Sequence, residues 1–494
     1  MALGGFLNGY DTGSIGAIVA MKQFKDTVGP LSPTLLGFTV SLIMLTGGIP
    51  SVFAGHLADK FGRLRVIMAG TIFFIIGAIL QGSAVSLVPF LIGRAVGGLG
   101  EGVYLSNIAV YICEIAPVKY RGMLAGCPQF MATAGVCAGY FTCYGTVGIA
   151  SSVAWRFSYI IQALIGILVA VRCAFLPESP RWLMLQGRRT DALQSLQRLD
   201  FSMAEAEKDI LRPQEQGLSL SGWQGFLLLF RRGYRSRTIL ALFVLGMVQL
   251  SGIDGVLYYA PTLFAQAGLP GKTAAFLASG LSAILMLAIS IPAFLFADKW
   301  GRRTSTISGG LTLAGCMLLI GTLYAAHAVH PYGVARWVVI VLVFVFGLTY
   351  SATWGITGKI YASEIQPANT RAAATCVAQG LGFVSIAALP YQTGLTSDAY
   401  GAYFLFGGLA LGTVAVLAAY MPETRGMSLE SIQDAFQQPP ILKILASQLR
   451  SLAPEFGRSG QTFTSNEGSE LNTISEQGPS TRSKIARTDS QAEN

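Results

Sequence analysis

Long apolar runs alternate with short polar gaps over most of this 494-residue chain, and twelve of the runs are long enough to be helices across a bilayer. The first covers residues 1–20; the others run near 32–54, 65–84, 87–112, 122–147, 155–176, 237–260, 273–297, 304–325, 336–361, 372–392 and 402–421. About 20 apolar residues in a helix cross the ~30 Å hydrocarbon layer, so each run predicts one span. The first run is short at its start, as a clipped N-terminus would leave it, and it shows no cleavable signal peptide. The polar gaps repeat. Asp59-Lys60-Phe61-Gly62-Arg63 returns as Asp298-Lys299-Trp300-Gly301-Arg302. Glu114-Ile115-Ala116-Pro117 with Arg121 returns as Glu364-Ile365-Gln366-Pro367 with Arg371, and Pro177-Glu178-Ser179 as Pro422-Glu423-Thr424. A mostly apolar chain made of two equivalent halves is the pattern of a membrane transporter that rocks one half against the other.

The predicted architecture is therefore an all-α membrane protein with twelve transmembrane helices in two six-helix halves. Residues 1–177 form the first half and 237–421 the second. Residues 178–236 carry charges at helical spacing and an amphipathic piece (Trp223, Phe226, Leu227, Phe230), which predicts short cytosolic helices joining the halves. Residues 422–494 read as a cytosolic tail. Ile441, Leu442, Leu445, Leu449 and Leu452 there line one helix face, and disorder is expected from about residue 454. Ser480, Thr481 and Ser490 lie near basic residues, as phosphorylation sites or as plain spacer.

Composition supports the membrane reading. Hydrophobic residues make up 52% of the chain and charged ones 12%, against about 25% charged in soluble proteins. The net charge of +9 raises nucleic acid as a partner, but the basic residues fall in every second gap, including Lys60, Arg63, Lys119, Arg121, Arg302 and Arg371. That is the positive-inside pattern; it puts both termini and the linker in the cytosol and leaves no nucleic-acid partner expected. The seven cysteines form no metal or redox spacing and read as small buried hydrophobes.

Several ordered phrases resemble the sugar porter family of the major facilitator superfamily, over about residues 4 to 430 and most closely its fungal members. They are Gly9-Tyr10-Asp11-Thr12-Gly13, the stretch Gly55 to Arg65 (where Leu64 interrupts the usual basic run), Gly93-Arg94, Pro177 to Trp182, Gln249-Leu250-Ser251-Gly252-Ile253 with Tyr258-Tyr259, and Pro422 to Gly426. The resemblance implies the major facilitator fold, a cavity reached alternately from either side, and transport of a sugar or sugar-like solute.

Ionisable groups at membrane depth cost about 2.5–3.5 kcal/mol each on insertion scales and need partners or a wet cavity. Asp11, Arg94, Glu101, Asp254 and Lys359 are in that position. In the family, an Asp at the place of Asp11 belongs to proton-coupled members. An Asp facing a fixed Arg stays charged until that contact weakens, when desolvation raises its affinity for a proton; the alternative is a static ion pair between spans one and four. Glu101 follows Arg94 by two helical turns and is either a second protonatable group or a partner for Arg94.

For the substrate, the resemblance assigns Gln129 on span five and Gln249 on span seven. The second half otherwise departs from the family: Val248 replaces a Gln, Asp254 and Met286 replace Asn, Lys359 stands where a cavity Trp is usual, and Gly382, Phe383 and Ile386 occupy the usual Asn and Trp region. Asp254 and Lys359 either face the solute, favouring a sugar acid, polyol or other small carboxylate, or Lys359 snorkels to the inner headgroups. Tyr258 and Tyr259 are expected at the outer gate. Asp59, Arg63, Glu114, Arg121, Glu178, Asp298, Arg302, Arg303, Glu364, Arg371 and Glu423 are expected at the inner face, where the family forms ion pairs between halves.

The expected protein is a monomeric plasma-membrane symporter of a sugar-like solute and protons, driven by the proton gradient with no bound cofactor or metal. Exporters of organic acids or secondary metabolites, and a non-transporting nutrient sensor, remain alternatives. No nucleophile–base set, metal cluster or phosphate loop suggests an enzyme.

Overall fold

The computed structural model describes residues 1–117, 121–199, 235–253, 256–257, 272–296, 300–330, 333–366, 374–380 and 400–424; the side chains of Arg121 and Glu364 are not among what it describes. Asp254, Tyr258, Tyr259, Asp298, Arg371, Gly382, Phe383, Ile386, the amphipathic piece near Trp223 and the tail lie outside these residues.

All regular structure among the described residues is helical, and a helix occupies every predicted span position. Spans one to six are Leu3–Ala20, Pro33–Phe61, Arg63–Ser83, Leu87–Ile115, Arg121–Thr146 and Val153–Phe175. Span seven is described over Arg235–Gln249, span eight over Lys272–Leu295, span nine over Arg302–Ala325 and span twelve over Tyr400–Tyr420. Span eleven is described over 374–380. Span ten is interrupted: Ala335–Ala352 gives way to a π turn, Trp354–Gly358, before Lys359–Glu364 completes it.

The local signals that start these helices are ordinary ones. The Ser32 hydroxyl accepts from the Leu35 amide at 3.3 Å, with Pro33 at the first helical position, where its missing N–H costs nothing. Ser179 and Pro180 begin the first linker helix, Pro180–Leu185, in the same way. Gly62, with φ near 104°, makes the sharp turn between spans two and three, a conformation that a side chain disfavours.

Among the described residues, seven helices are long and apolar enough to cross a membrane by length and composition: spans two, three, six, eight, nine, ten and twelve. Spans one, four and five fall short because they carry Asn8 and Asp11, Arg94 and Glu101, and Gln129. Outward faces are strongly apolar, with Ile49 69% and Phe175 79% exposed, which suits contact with lipid.

Glycines set the close packing inside the first half. Span three meets span four backbone to backbone, Gly70 at Gly100 and Gly77 at Gly97. Span one lays Gly5, Gly9 and Gly13 against the carbonyls of Pro128, Ala132 and Val136 on span five. The pairing of spans three and six recurs as nine and twelve. Between halves, span five runs beside span eight, where Phe130 and Phe294 stack with centroids 5.5 Å apart. Span two also meets span eleven through Ser51, whose hydroxyl donates to the Cys376 carbonyl at 3.2 Å.

Candidate functional site

A cleft with about 720 Å³ of free space, part of it open to solvent, lies between the halves. The first half supplies Asn8 and Thr12 on span one and Gln129 and Thr133 on span five. The second half supplies Gln249 on span seven, Tyr350, Ser351 and Lys359 on span ten, and Gln379 on span eleven. Met44, Leu105, Ile253 and Met286 provide apolar wall. Several amides and hydroxyls beside apolar surface form a lining whose chemistry suits a polyhydroxy solute, with hydrogen bonds for its hydroxyls and apolar surface for its carbon skeleton.

Lys359 is placed in this cleft. Its Nζ donates to Oε1 of Gln129, across the boundary between halves. The amine turns inward here, and the π turn just before Lys359 rotates span ten at this point. Gln129 thus has its carbonyl oxygen engaged. Val248, which replaces a family Gln, is buried outside the lining; a Cβ on Gly358 would stand 2.8 Å from its Cγ2, so it packs on span ten.

Gln379 was missed by sequence reasoning, though the internal repeat marks it. It follows Arg371 by the same eight residues that separate Gln129 from Arg121. The second half therefore has a side-chain amide lining the cleft at the equivalent position of the equivalent span. Asn8 and Thr12 carried a weaker signal, sitting one turn apart on the face next to Asp11.

Behind the span-one wall lies a fully buried polar cluster. Arg94 Nη1 donates to both Asp11 oxygens at 3.2 Å, and its Nη2 donates to the Val40 carbonyl at 2.7 Å. Gln162 Nε2 on span six donates to Asp11 Oδ1 at 3.2 Å and to Ser14 Oγ at 3.3 Å. Asp11 is 1% and Arg94 0% exposed. The structure brings the two predicted partners together and adds Gln162. Asn8 Nδ2 donates to Oε1 of Glu101, so Glu101 meets the cleft wall rather than serving only Arg94.

At the inner end, Arg63 holds Glu114 through two bonds, Nε to Oε2 at 3.2 Å and Nη2 to Oε1 at 3.0 Å, and pairs with Asp59 at 2.6 Å. These pairs join spans two, three and four inside one half. Among the described residues these three pair within the first half, because Arg63 starts span three directly opposite the ends of spans two and four; Asp298 and Arg371, expected at the same face, lie outside them. Glu178 and Glu423 also meet backbone amides. Glu178 Oε2 accepts from the Leu64 amide at 3.5 Å, at the start of span three. Glu423 accepts from the Arg302 and Arg303 amides at 2.7 and 3.1 Å, at the start of span nine. Each acid meets the positive end of a helix, and the two sites are repeat equivalents. Burial pushes the Glu178 carboxyl above the ordinary carboxylate range, opposed by the Leu64 amide and by Arg65. Arg303 Nη2 donates to the Ala418 carbonyl at 2.6 Å, joining the inner ends of spans nine and twelve. The linker helix docks on the same region, with Trp182 Nε1 and Gln186 Nε2 donating to the Asp59 carbonyl at 2.8 and 3.0 Å. Glu178→Gln and Glu423→Gln, which keep a carbonyl acceptor but lose the charge, are each expected to lower stability by about 1 kcal/mol. Thermal unfolding in detergent checks this, and the two losses should add, since they lie in separate halves.

The profile described as "Sugar (and other) transporter" matches residues 1–436. MFS-type transporter criB of Aspergillus cristatus is 32% identical over 441 residues, covering 88% of this chain and 91% of that one. Glucose transporter GlcP of Staphylococcus epidermidis is 31% identical, covering 87% and 95%, and putative polyol transporter 2 of Arabidopsis thaliana is 29% identical, covering 87% and 88%. A structure of the proton:xylose symporter XylE, bound to 6-bromo-6-deoxy-D-glucose, superposes with a TM-score of 0.76 at 23% identity, covering 88% of this chain and 97% of that chain; the shared fold is that of the major facilitator superfamily. From this match along nearly the whole spanning region, together with the two-half helical bundle around a polar cleft, the chain belongs to the sugar transporter family of the major facilitator superfamily and is an integral membrane transporter.

Proposed function

We propose that the protein is a proton-coupled symporter of a sugar or polyol that works by alternating access. One observation carries this reading: an amide-rich cleft shared by both halves lies one helix face away from a fully buried Asp11–Arg94 pair. Gln129, Gln249 and Gln379, with Asn8, Thr12 and Ser351, match the hydroxyls of a polyhydroxy solute. Asp11 supplies the proton site. When the bond to Arg94 is intact the carboxylate is stabilised; when movement of span one or four loosens it, the buried acid takes up a proton. The names of the relatives, which include glucose and polyol transporters and a proton:xylose symporter, support this substrate class. The protein would act as a monomer in the plasma membrane with both termini cytosolic, powered by the proton gradient alone.

A second reading follows from Lys359. An ammonium group in the cleft favours a solute that carries a carboxylate, such as a sugar acid. Uptake into proteoliposomes of D-glucose, D-xylose, sorbitol and D-gluconate, with and without an inward pH gradient, tests both readings. Gradient-driven accumulation of a neutral member supports the first, gluconate alone supports the second, and no gradient dependence for any member overturns proton coupling. Lys359→Met is expected to weaken uptake of a neutral solute about tenfold, through loss of the bond that positions Gln129. Selective loss of gluconate uptake in that variant would instead favour the acid.

A further inference from the structure

Glu101 is a buried acid that this mechanism leaves unused. It sits on span four at membrane depth, 1% exposed. Its Oε1 accepts from Asn8, and its buried Oε2 has no hydrogen-bond partner among the described residues. The charged groups near it are Asp11 on span one and Arg94 on its own span, and Tyr104 lies one turn further along. Span two meets this stretch through Ile43, Thr46 and Gly47, none of which titrates. Span three meets it through Gly70, Phe74 and Gly77, and span six presents Tyr159 and Gln162 to the Asp11–Arg94 pair. Arg94 is already committed to Asp11 and to the Val40 carbonyl. An ionised carboxylate in such a place calls for donors on both oxygens, and among the described residues this one has a single donor, from a side chain that also lines the cleft.

We propose that Glu101 is a second proton-binding group, coupled through Asn8 to the occupancy of the cleft. A solute hydroxyl that takes over the Asn8 carboxamide removes the donor that Glu101 has. The carboxylate, left without a donor, then takes a proton from the water-filled cleft and gives it back when Asn8 returns and the cleft opens to the other side. Solute and proton therefore each raise the other's affinity. This rests on the symport reading above. Asn8 is the positioning residue, and Glu101 the group that carries the proton.

The test uses the full chain in proteoliposomes, with whichever of D-glucose, D-xylose, sorbitol and D-gluconate it transports, and reads the proton-to-solute ratio from the reversal potential. Glu101→Gln, which mimics the protonated form, is expected to lower the ratio from about two to about one while transport persists. An unchanged ratio overturns the proposal. Asn8→Ala, should Glu101→Gln fail to fold, is expected to flatten the pH dependence of apparent solute affinity; a profile matching the parent protein overturns it. Infrared titration of the purified protein separates this proposal from the symport reading, since it needs no transport. A protonated-carboxyl band should grow at fixed pH when the solute is added to the parent protein, and this growth should be absent in Glu101→Gln. Growth unaffected by Glu101→Gln overturns the proposal even where symport holds, whereas a parent protein that transports every solute without gradient dependence removes symport and leaves the band as the deciding result.

Discussion

Asp11→Asn is expected to abolish accumulation driven by a pH gradient while solute exchange at equal pH continues. A gradient of about two pH units stores about 2.7 kcal/mol per proton, enough for about hundredfold accumulation by one coupled proton. The variant should reach an internal concentration close to the external one. Asp11 lies 1% exposed against a guanidinium with no exposure, so its charge has one main use, which is to neutralise Arg94. A proton on Asp11 releases Arg94, and an amide can do neither job in alternation. The substitution also leaves Arg94 buried without its counter-ion, and breaking a buried pair from one side typically costs about 3–5 kcal/mol. The bond from Arg94 to the Val40 carbonyl remains and offsets part of that. A lower thermal midpoint should therefore accompany the loss of coupling. Accumulation equal to that of the parent protein would mean that Asp11 and Arg94 only tie two helices together.

Gly9→Val is expected to prevent assembly of the first half. A Cβ at Gly9 would lie 1.9 Å from the Ala132 carbonyl oxygen, and the neighbouring contacts at Gly5 and Gly13 are nearly as short, at 2.1 and 2.3 Å. These are backbone atoms of span five, so no rotamer change relieves the clash; spans one and five would have to separate. Overpacking a core costs about 1–3 kcal/mol where side chains can shift, and more where they cannot. The consequence reaches the site, because this contact places Asn8 and Thr12 beside Gln129 and Thr133 on one wall. Loss of the monodisperse peak on size exclusion checks the prediction. Gly145→Val, where a Cβ would meet nothing within 4 Å, is the control and should behave like the parent.

Much of the architecture was legible along the chain, because a bilayer imposes its own length on every apolar run and the polar gaps repeat in the same order in both halves. The position of Gln379 was legible too, through the repeat, but only once its distance from Arg371 is set beside that of Gln129 from Arg121. The inner-face acids show the opposite case. Glu178 and Glu423 read as ion-pair partners because side-chain charges are what a sequence displays. Each also accepts from backbone amides, at Leu64 and at Arg302 and Arg303, and every residue but proline has one of those.

Hydropathy period and the repeated motifs determined by themselves that this is a twelve-span, two-half membrane protein and which residues are costly enough in lipid to need a partner. The tertiary structure alone decided who those partners are. Lys359 turns toward Gln129, Asn8 reaches Glu101, and Gln162 joins Asp11, across separations of 230, 93 and 151 residues. The physical reason is that burial energy depends on residue type and can be read one position at a time. A hydrogen bond between helices depends on their relative rotation and depth, which the glycine contacts between backbones set and which no single segment encodes.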